Sequence, residues 1–419
     1  MAILSLAGKS LLNRRFTASL ILLSIALSVA LLLGVERLRV ESRSSFANTI
    51  SGTDLVVGAR SGSINLLLYS VFRIGDATNN ISWKSYRNFA QHRLVEWTIP
   101  ISLGDSHKGY RVMGTNGDYF KHYRYGRKRP LEIGQGAAFT EVYQAVLGSE
   151  VAERLGYRLG QSIVIAHGAG KTSFTLHKDK PFTVVGILRS TGTPVDRTIH
   201  VPLEGIEAIH KDWVAGTQVP GFSLSATEAL EHDLTPKAIT AFLVGLKSRI
   251  ATFRVQREIN DYRKEPLLAI LPGIALQQLW DLMSVAESAL LIVTALVVAV
   301  GLIGMLTVML AGLNERRREM AILRSVGARP AHILLLIIGE SLLLSLLGIG
   351  LGLMLLYVGL ALAQPMIESA YGLYLAIGLP SAREWMMLGL VGAAGLVVGV
   401  IPGYQAYRNS LADGMSMRI

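Results

Sequence analysis

Four uninterrupted apolar runs divide the chain, and the longest stretch between them is mixed. The first runs from Phe16 to Gly34 without a charge; the others extend over 288–313, 333–363 and 385–403. As a helix, each is long enough to cross a hydrocarbon core, which needs about 20 residues. Within 35–287 the pattern changes to short strand patterns set between turn residues, at Thr53–Gly58, Gln161–Ile165, Phe174–His177, Phe182–Leu188 and Ala238–Leu246. Helical spacing is expected at Trp83–His92, Ser149–Leu155, Leu203–His210 and Ile250–Lys264. Strands and helices mix without a regular β-α-β run, so α+β is the better class. The charged, helix-compatible stretch from Glu36 to Ser51 and the helical pattern from Ala275 predict two stalks.

The expected fold is therefore a membrane protein of four transmembrane α-helices, with a large α+β extracytoplasmic domain inserted between helices 1 and 2. Residues 1–15 read as a short amphipathic helix lying on the inner surface, with Ile3, Leu4, Ala7 and Leu11 as its apolar positions. The spans are expected at 16–34, 288–313, 333–363 and 385–403, and the external domain with its stalks at 35–287. A loop at 314–332, a short external loop at 364–384 and a tail at 404–419 complete the layout.

Lys and Arg near the span ends set the orientation. Lys9, Arg14 and Arg15 precede the first span. Arg316, Arg317, Arg318, Arg324 and Arg329 separate the second from the third, and Arg408 and Arg418 follow the fourth. The 364–384 loop holds only Arg383. Both termini and the 314–332 loop are thus expected in the cytoplasm and the large domain outside. A cleaved signal peptide, cut near Ser28-Val29-Ala30, is the competing reading of the N-terminus. The apolar run continues to Leu33, longer than an ordinary signal core, which favours an uncleaved span.

Composition agrees with a membrane protein. Of 419 residues, 51% are hydrophobic and 17% charged, against about 25% charged in an ordinary soluble domain. Mean hydropathy is +0.41. The net charge of +11 does not make a nucleic-acid partner, because the same chain carries spans that only lipid or a buried core accepts. Cysteine is absent, which excludes disulfides, thiol nucleophiles and Cys-based zinc sites.

Catalytic signatures are missing, and no catalytic residue is expected. Gly168-Ala-Gly-Lys-Thr172 imitates the end of a phosphate-binding loop, but the first glycine of that motif would fall at Ile165, and a strand follows where a helix is required. A hairpin turn explains it better. G-x-S-x-G is absent too. Eight histidines lie in the large domain: His92, His107, His122, His167, His177, His200, His210 and His232. They show no metal-ligand spacing, so neither a metal site nor a cofactor is expected. In Tyr119-Phe-Lys-His-Tyr-Arg-Tyr-Gly-Arg-Lys-Arg129 the cations Lys121, Arg124, Arg127, Lys128 and Arg129 interleave with aromatics. That mixture suits anionic lipid or an acidic partner, while a solvated strand-edge face is the plainer reading.

The most informative stretch is Asn314-Glu-Arg-Arg-Arg-Glu-Met-Ala-Ile-Leu-Arg-Ser-Val-Gly-Ala-Arg-Pro330. It predicts a short charged amphipathic helix, with Asn314 as N-cap, Glu315 favourable at the positive end of the helix dipole and Gly327 as a stop before Pro330. Met320, Leu323 and Gly327 share one face, with Ile322 and Val326 close by. Anchoring alone would need the arginines but not the apolar face or the Gly-Ala-Arg-Pro stop.

This run, with Ile338-Gly-Glu-Ser-Leu-Leu-Leu-Ser-Leu-Leu-Gly-Ile-Gly-Leu-Gly352, resembles the signature of MacB/FtsX-type permeases. These are the membrane subunits of ABC transporters that include the lipoprotein-releasing Lol permeases. Val146-Leu-Gly-Ser-Glu-Val-Ala-Glu-Arg-Leu-Gly156, Leu159-Gly-Gln-Ser-Ile163, Phe182–Leu188 and Gly192-Thr-Pro-Val-Asp-Arg197 resemble the family's periplasmic domain. Pro402-Gly-Tyr-Gln-Ala-Tyr-Arg408 and Ser410-Leu-Ala-Asp-Gly-Met415 resemble its ending.

The resemblance implies that Glu315 to Ala328 form a coupling helix docked on a separate cytoplasmic ABC ATPase, which binds the ATP. Arg316, Arg317, Arg318 and Glu319 would make its polar contacts, Met320 and Leu323 would fill a groove, and Arg324, Gly327 and Ala328 complete it. Glu340 falls about 12 Å into the third span at 1.5 Å per residue and should face the bundle. A structural hydrogen-bonding role is favoured for it over a proton relay. The implied assembly has two permease copies, a homodimer before a heterodimer, in a bacterial inner membrane. A periplasmic protein and membrane lipid are further partners. The expected function is mechanically coupled export of a hydrophobic or amphiphilic peptide, lipid, lipoprotein or drug. Signalling without transport to an external partner such as a cell-wall hydrolase is the alternative, and a sensor in peptide-antibiotic resistance a weaker third.

Overall fold

The computed structural model describes residues 15–168, 176–214, 217–218, 224–315, 317–371 and 378–412. The chain divides into two compact units, one of residues 1–41 with 284–419, the other of residues 42–283. The longer helices are α1 (Arg15–Thr49), α2 (Ser63–Ser70), α3 (Trp83–Ala90), α4 (Ser149–Leu155), α5 (Leu203–Ile209), α6 (Thr252–Asn260), α7 (Pro272–Glu315), α8 (Arg317–Ser325), α9 (Pro330–Tyr371) and α10 (Ala382–Ala412). Four of them, α1, α7, α9 and α10, are long and apolar enough to cross a membrane. They flank the α+β unit in the order expected. The amphipathic segment expected at 1–15 lies outside the described residues except for Arg15, which opens α1.

In the helical unit, α1 buries a single stripe: Ala18, Ile21, Ile25, Val29 and Leu33, spaced three or four residues apart. That stripe packs with Leu302 and Met305 of α7, Leu344, Leu356 and Leu360 of α9, and Leu388 and Val391 of α10. The backbones come close where side chains are missing. A Cβ added at Gly348 or Gly352 of α9 would meet Ile25 at 2.6 Å or Val29 at 2.8 Å. Two turns earlier on α9, a Cβ at Gly395 or Gly399 of α10 would run into the hydroxyls of Ser345 and Ser341. Ser341 Oγ donates to Gly395 O at 2.7 Å. Lipid tails are as apolar as leucine, so close packing and such hydrogen bonds, rather than expulsion of water, hold helices together there.

A buried ion pair ties α1 to the start of α10. Arg37 of α1 donates through Nε to Glu384 Oε1 at 2.7 Å, and both residues are buried. Its Nη2 reaches Tyr357 Oη at 3.1 Å and Gly378 O at 2.8 Å. Glu384 also accepts from Ser381 N at 2.6 Å, and Ser381 Oγ caps Glu384 N in return, so the carboxylate fixes the start of α10 as well.

The second unit is built on an eleven-stranded sheet: β1 (Leu55–Ala59), β2 (Val95–His107), β3 (Tyr110–Thr115), β4 (Ile133–Gly136), β5 (Gln144–Leu147), β6 (Ser162–Ile163), β7 (Ala166–His167), β8 (Phe182–Leu188), β9 (Thr198–Pro202), β10 (Ala241–Leu246) and β11 (Leu267–Ile270). Their order is β11-β1-β10-β2-β3-β9-β5-β8-β4, with β7 beside β2 and β6 beside β8. All pairs are antiparallel except β9 with β3 and β8 with β5. β2 joins the halves, since Val95 to Ile101 pair with β10 and Ser102 to His107 with β3.

Alternate residues of the strands face two different cores. Val56 and Leu243 pack with Leu66, Leu67 and Tyr69 of α2 on one side. Leu55, Val57, Phe242 and Val244 pack with Tyr86 and Phe89 of α3 and Val255 and Ile259 of α6 on the other. A third core places Val151 of α4 and Ile209 of α5 over β3, β5, β8 and β9. Because both faces are covered, β1, β9 and β10 are buried at every position, and β1 and β10 read as apolar runs rather than alternations.

Helix starts at Trp83, Ser149 and Leu203 coincide with the sequence reading. The helix expected over 250–264 is shorter, because the chain turns at Asp261 to enter β11. The sequence reading has no strand over 95–115, where β2 carries Pro100 and Gly104 and buries Thr98, Asp105, Ser106 and His107, a mixture without clean alternation. The strand expected at Phe174–His177 lies outside the described residues up to Thr175; Leu176 bridges Ala166. The Gly168–Thr172 turn lies outside them after Gly168.

Candidate functional site

The 314–332 loop forms α8 and a tight stop. Gly327 N donates to Arg324 O at 2.9 Å and Ala328 N to Leu323 O at 3.0 Å, with Gly327 at φ +94°. That is a Schellman closure, and Gly327 takes the left-handed position it requires. Pro330 then opens α9, where a missing N–H costs nothing.

The apolar positions of α8 point in two directions. Met320 is half-buried against Leu313, Ile333, Ile337 and Ala406 of its own unit. Leu323 and Arg324 are also half-buried. Ile322 and Val326, one turn apart, are 63% and 83% exposed, beside exposed Glu319. The structure thus seats Met320 on the bundle and offers Ile322 and Val326 outward, a division that helical spacing around Met320 did not reveal. Arg316 lies outside the described residues. Glu340 is 2% exposed on α9, beside the Ser341 that packs on α10.

The Tyr119–Arg129 stretch separates into two faces. Tyr119 and Tyr123 are buried in the domain core, while Lys121, Arg127, Lys128 and Arg129 are exposed. Arg124 and Tyr125 pair with Arg129 and Pro130 in a small hairpin whose turn holds Gly126 and Lys128 at positive φ. Lys121 sits 3.7 Å from Asp118 and Arg124 bonds Tyr123 O, so the aromatics belong to the fold rather than to the charged surface.

A third constellation appears only in three dimensions. Asp105 on β2 lies opposite His167 on β7, and their Oδ1 and Nδ1 are 3.2 Å apart. His210, just past the end of α5, brings Nε2 to 3.1 Å from His167 Nδ1 and 3.5 Å from Asp105 Oδ1. His177 follows the Leu176 bridge and is fully buried. One ligand atom from each of these four residues lies within 4.8 Å of the other three. Trp213 packs against all three imidazoles, closest to His177 at 4.3 Å between ring centres.

The electrostatics follow from burial and pairing. Burial works to raise the Asp105 carboxyl, but hydrogen bonds from His167 and His210 outweigh it and hold it at about 2. Burial would lower His210, and the bond to Asp105 raises it instead. His177 has burial and the His210 charge against it and is held at about 4. Spacings of 10 and 33 residues between the histidines hid this cluster from motif reasoning; the one available signal was an excess of histidine in one domain.

Two family profiles match the chain: a MacB-like periplasmic core domain over residues 16–262 and an FtsX-like permease C-terminal region over residues 291–411. Among solved structures, it is similar to the periplasmic region of MacB from Actinobacillus actinomycetemcomitans at 11% identity, covering 55% of this chain and 94% of that one, with a TM-score of 0.34. It is also similar to the extracellular domain of the noncanonic ABC-type transporter YknZ from Gram-positive bacteria at 12% identity, covering 52% and 99%, with a TM-score of 0.31. No curated protein matches it.

Proposed function

Because the chain belongs to the family of permeases with a MacB-like periplasmic core domain and an FtsX-like C-terminal region, we propose that it is the permease subunit of an ATP-driven transporter of the mechanotransmission type. A separate cytoplasmic ABC ATPase binds and hydrolyses ATP and grips α8. Movement of α8 is passed to α7 and α9, and α7 carries it into the chain of the external domain. The work done there is export or extraction of a hydrophobic or amphiphilic substrate. The Lol resemblance makes a lipoprotein one member of that class. The protein sits in a bacterial inner membrane, with α8 inside and the large domain in the periplasm.

The observation that carries the reading is α8 itself. It is a nine-residue helix stopped by a Schellman turn, with Ile322 and Val326 exposed between charged neighbours. An exposed i, i+4 apolar pair suits a groove on a partner. Glu315, Arg316, Arg317, Arg318 and Glu319 supply the polar rim, and Arg324 to Ala328 the firm end. A second copy completes the assembly. The outward face of α7, whose apolar window is 17% buried against 39% for α9, offers lipid or that copy its surface.

The test is co-purification from detergent-solubilised membranes. Wild type should bring down an ATPase subunit, and Ile322→Glu/Val326→Glu should lose it while the permease stays folded. Met320→Glu should instead lower the permease's own thermal stability, since Met320 packs on Ile333 and Ile337. Absence of an ATPase from the wild-type sample would sink the reading. If one appears, stimulation of its activity by hydrophobic substrates favours export, and a response to an external protein alone favours signalling.

A further inference from the structure

We propose that Asp105, His167, His177 and His210 form a binding site for a divalent first-row transition metal of the zinc class. The donor set is three imidazoles and one carboxylate. Zinc takes four such ligands in a tetrahedron, with bonds that place neighbouring donor atoms about 3.3 Å apart. The three edges formed by Asp105 Oδ1, His167 Nδ1 and His210 Nε2 measure 3.1, 3.2 and 3.5 Å. Calcium and magnesium want six or more oxygens and find one carboxylate here.

Two features point to a ligand rather than to a self-satisfied hydrogen-bond cluster. The first is His177, 0% exposed, with no hydrogen-bond partner on either ring nitrogen. Burying a polar group unpaired is unfavourable, and a metal bond removes that cost. The second is the orientation of His210. Its Nδ1 donates to Ile206 O at 2.9 Å, which leaves Nε2 as the nitrogen directed at the cluster, free to bind an ion that displaces its proton. Metal-bound histidines are held in this way.

The surrounding residues fix the donors before any ion arrives. Lys180, buried in the same segment as His177, pairs with buried Asp212 at 2.8 Å and with Asp179 at 2.9 Å. Asp212 precedes Trp213, whose ring covers the imidazoles. His177 N donates to Ile165 O at 2.9 Å, which ties its segment to β7. His167 is 40% exposed and gives an ion access from solution. Four protein donors leave no open coordination position, so the ion would clamp β2, β7, the 176–177 segment and the end of α5 rather than perform hydrolysis.

The site includes no residue of α8, and its test uses no ATP. Full-length protein carrying no polyhistidine tag is purified in detergent, stripped with chelator and titrated with cobalt(II) and zinc. One cobalt per chain with the strong visible absorption of a tetrahedral complex, displaced by zinc, is expected. Zinc should also raise the Tm. His177→Ala and His210→Ala should each weaken binding by at least ~100-fold, while His232→Ala, at an exposed position outside the cluster, leaves it unchanged. Binding that survives both cluster substitutions, or wild-type protein with only weak octahedral absorption, would overturn the proposal. If a variant fails to fold, the wild-type cobalt spectrum and its displacement by zinc decide alone.

Discussion

The two units share close approaches at glycine, since a Cβ at Gly148 or Gly186 of the sheet unit would also meet a backbone carbonyl, but they differ in what fills their cores. The helical unit brings backbones together by omitting side chains, at Gly348 and Gly352 toward α1 and at Gly395 and Gly399 toward the serines of α9. The sheet unit is filled by bulk: Tyr69, Tyr119, Phe182 and Phe242 are among its largest fully buried side chains. The difference follows from the solvent each unit would otherwise face. Water expels an exposed phenylalanine at about 25 cal/mol per Å² of apolar surface. Lipid does not, and leaves contact, shape and hydrogen bonding to select the neighbour. Sensitivity to removed volume should therefore differ between the units.

The sharpest way to break this contrast is to add volume where the helices touch. Gly399→Leu should abolish recovery of folded protein by size-exclusion chromatography, whereas Gly389→Leu, with nothing within 4 Å of its added Cβ, should behave as wild type. Equal tolerance of both would refute close packing of α9 on α10. Removing volume should hurt the other unit instead. Phe242→Ala should cost about 3–5 kcal/mol in chemical denaturation, and Leu296→Ala on the 60% exposed face of α7 no more than about 0.5 kcal/mol.

A buried charge tests the helical unit differently. Arg37→Met leaves Glu384 without its main partner and should cost about 3–5 kcal/mol, while Arg37→Met/Glu384→Met should recover much of that. A single variant no worse than the double would show that the pair does not couple. A buried histidine tests the sheet unit through pH. Burial, with the Arg73 charge nearby, holds His200 down to about 3, against about 6.5 in an unfolded chain. The unfolded state then takes a proton that the native state refuses, so this contribution is complete above pH 6.5 and is lost as pH falls toward 3. Melting curves between neutral and acid pH should slope less steeply in His200→Gln; an unchanged slope would remove His200 as the cause.

The same contrast governs what could be read from the residues alone. Helices that cross lipid announce themselves by length, so α1, α7, α9 and α10 were legible, as was the glycine stop after α8. Their partners were less so: Arg37 and Glu384, 347 residues apart, meet only through the fold. In the sheet unit, Phe182–Leu188 and Ser149–Leu155 were legible because their patterns are local. β2 was not, because its burial is decided by β10 on one side and β3 on the other. The histidine cluster was invisible for a related reason. Its members share no periodicity and become neighbours only when β7 pairs with β2 and α5 ends beside them.

β2 has a consequence for how the sheet unit comes apart. A strand whose first half belongs to one ladder and whose second half to another cannot release either without fraying itself. Thr240 reinforces the crossing point, accepting Leu103 N on its hydroxyl at 2.9 Å while its own N–H bonds Ile101 O. Amides of Ile99, Ile101 and Leu103 should accordingly be among the last to exchange with deuterium, and both halves of the sheet should exchange with one common opening free energy, as a single foldon.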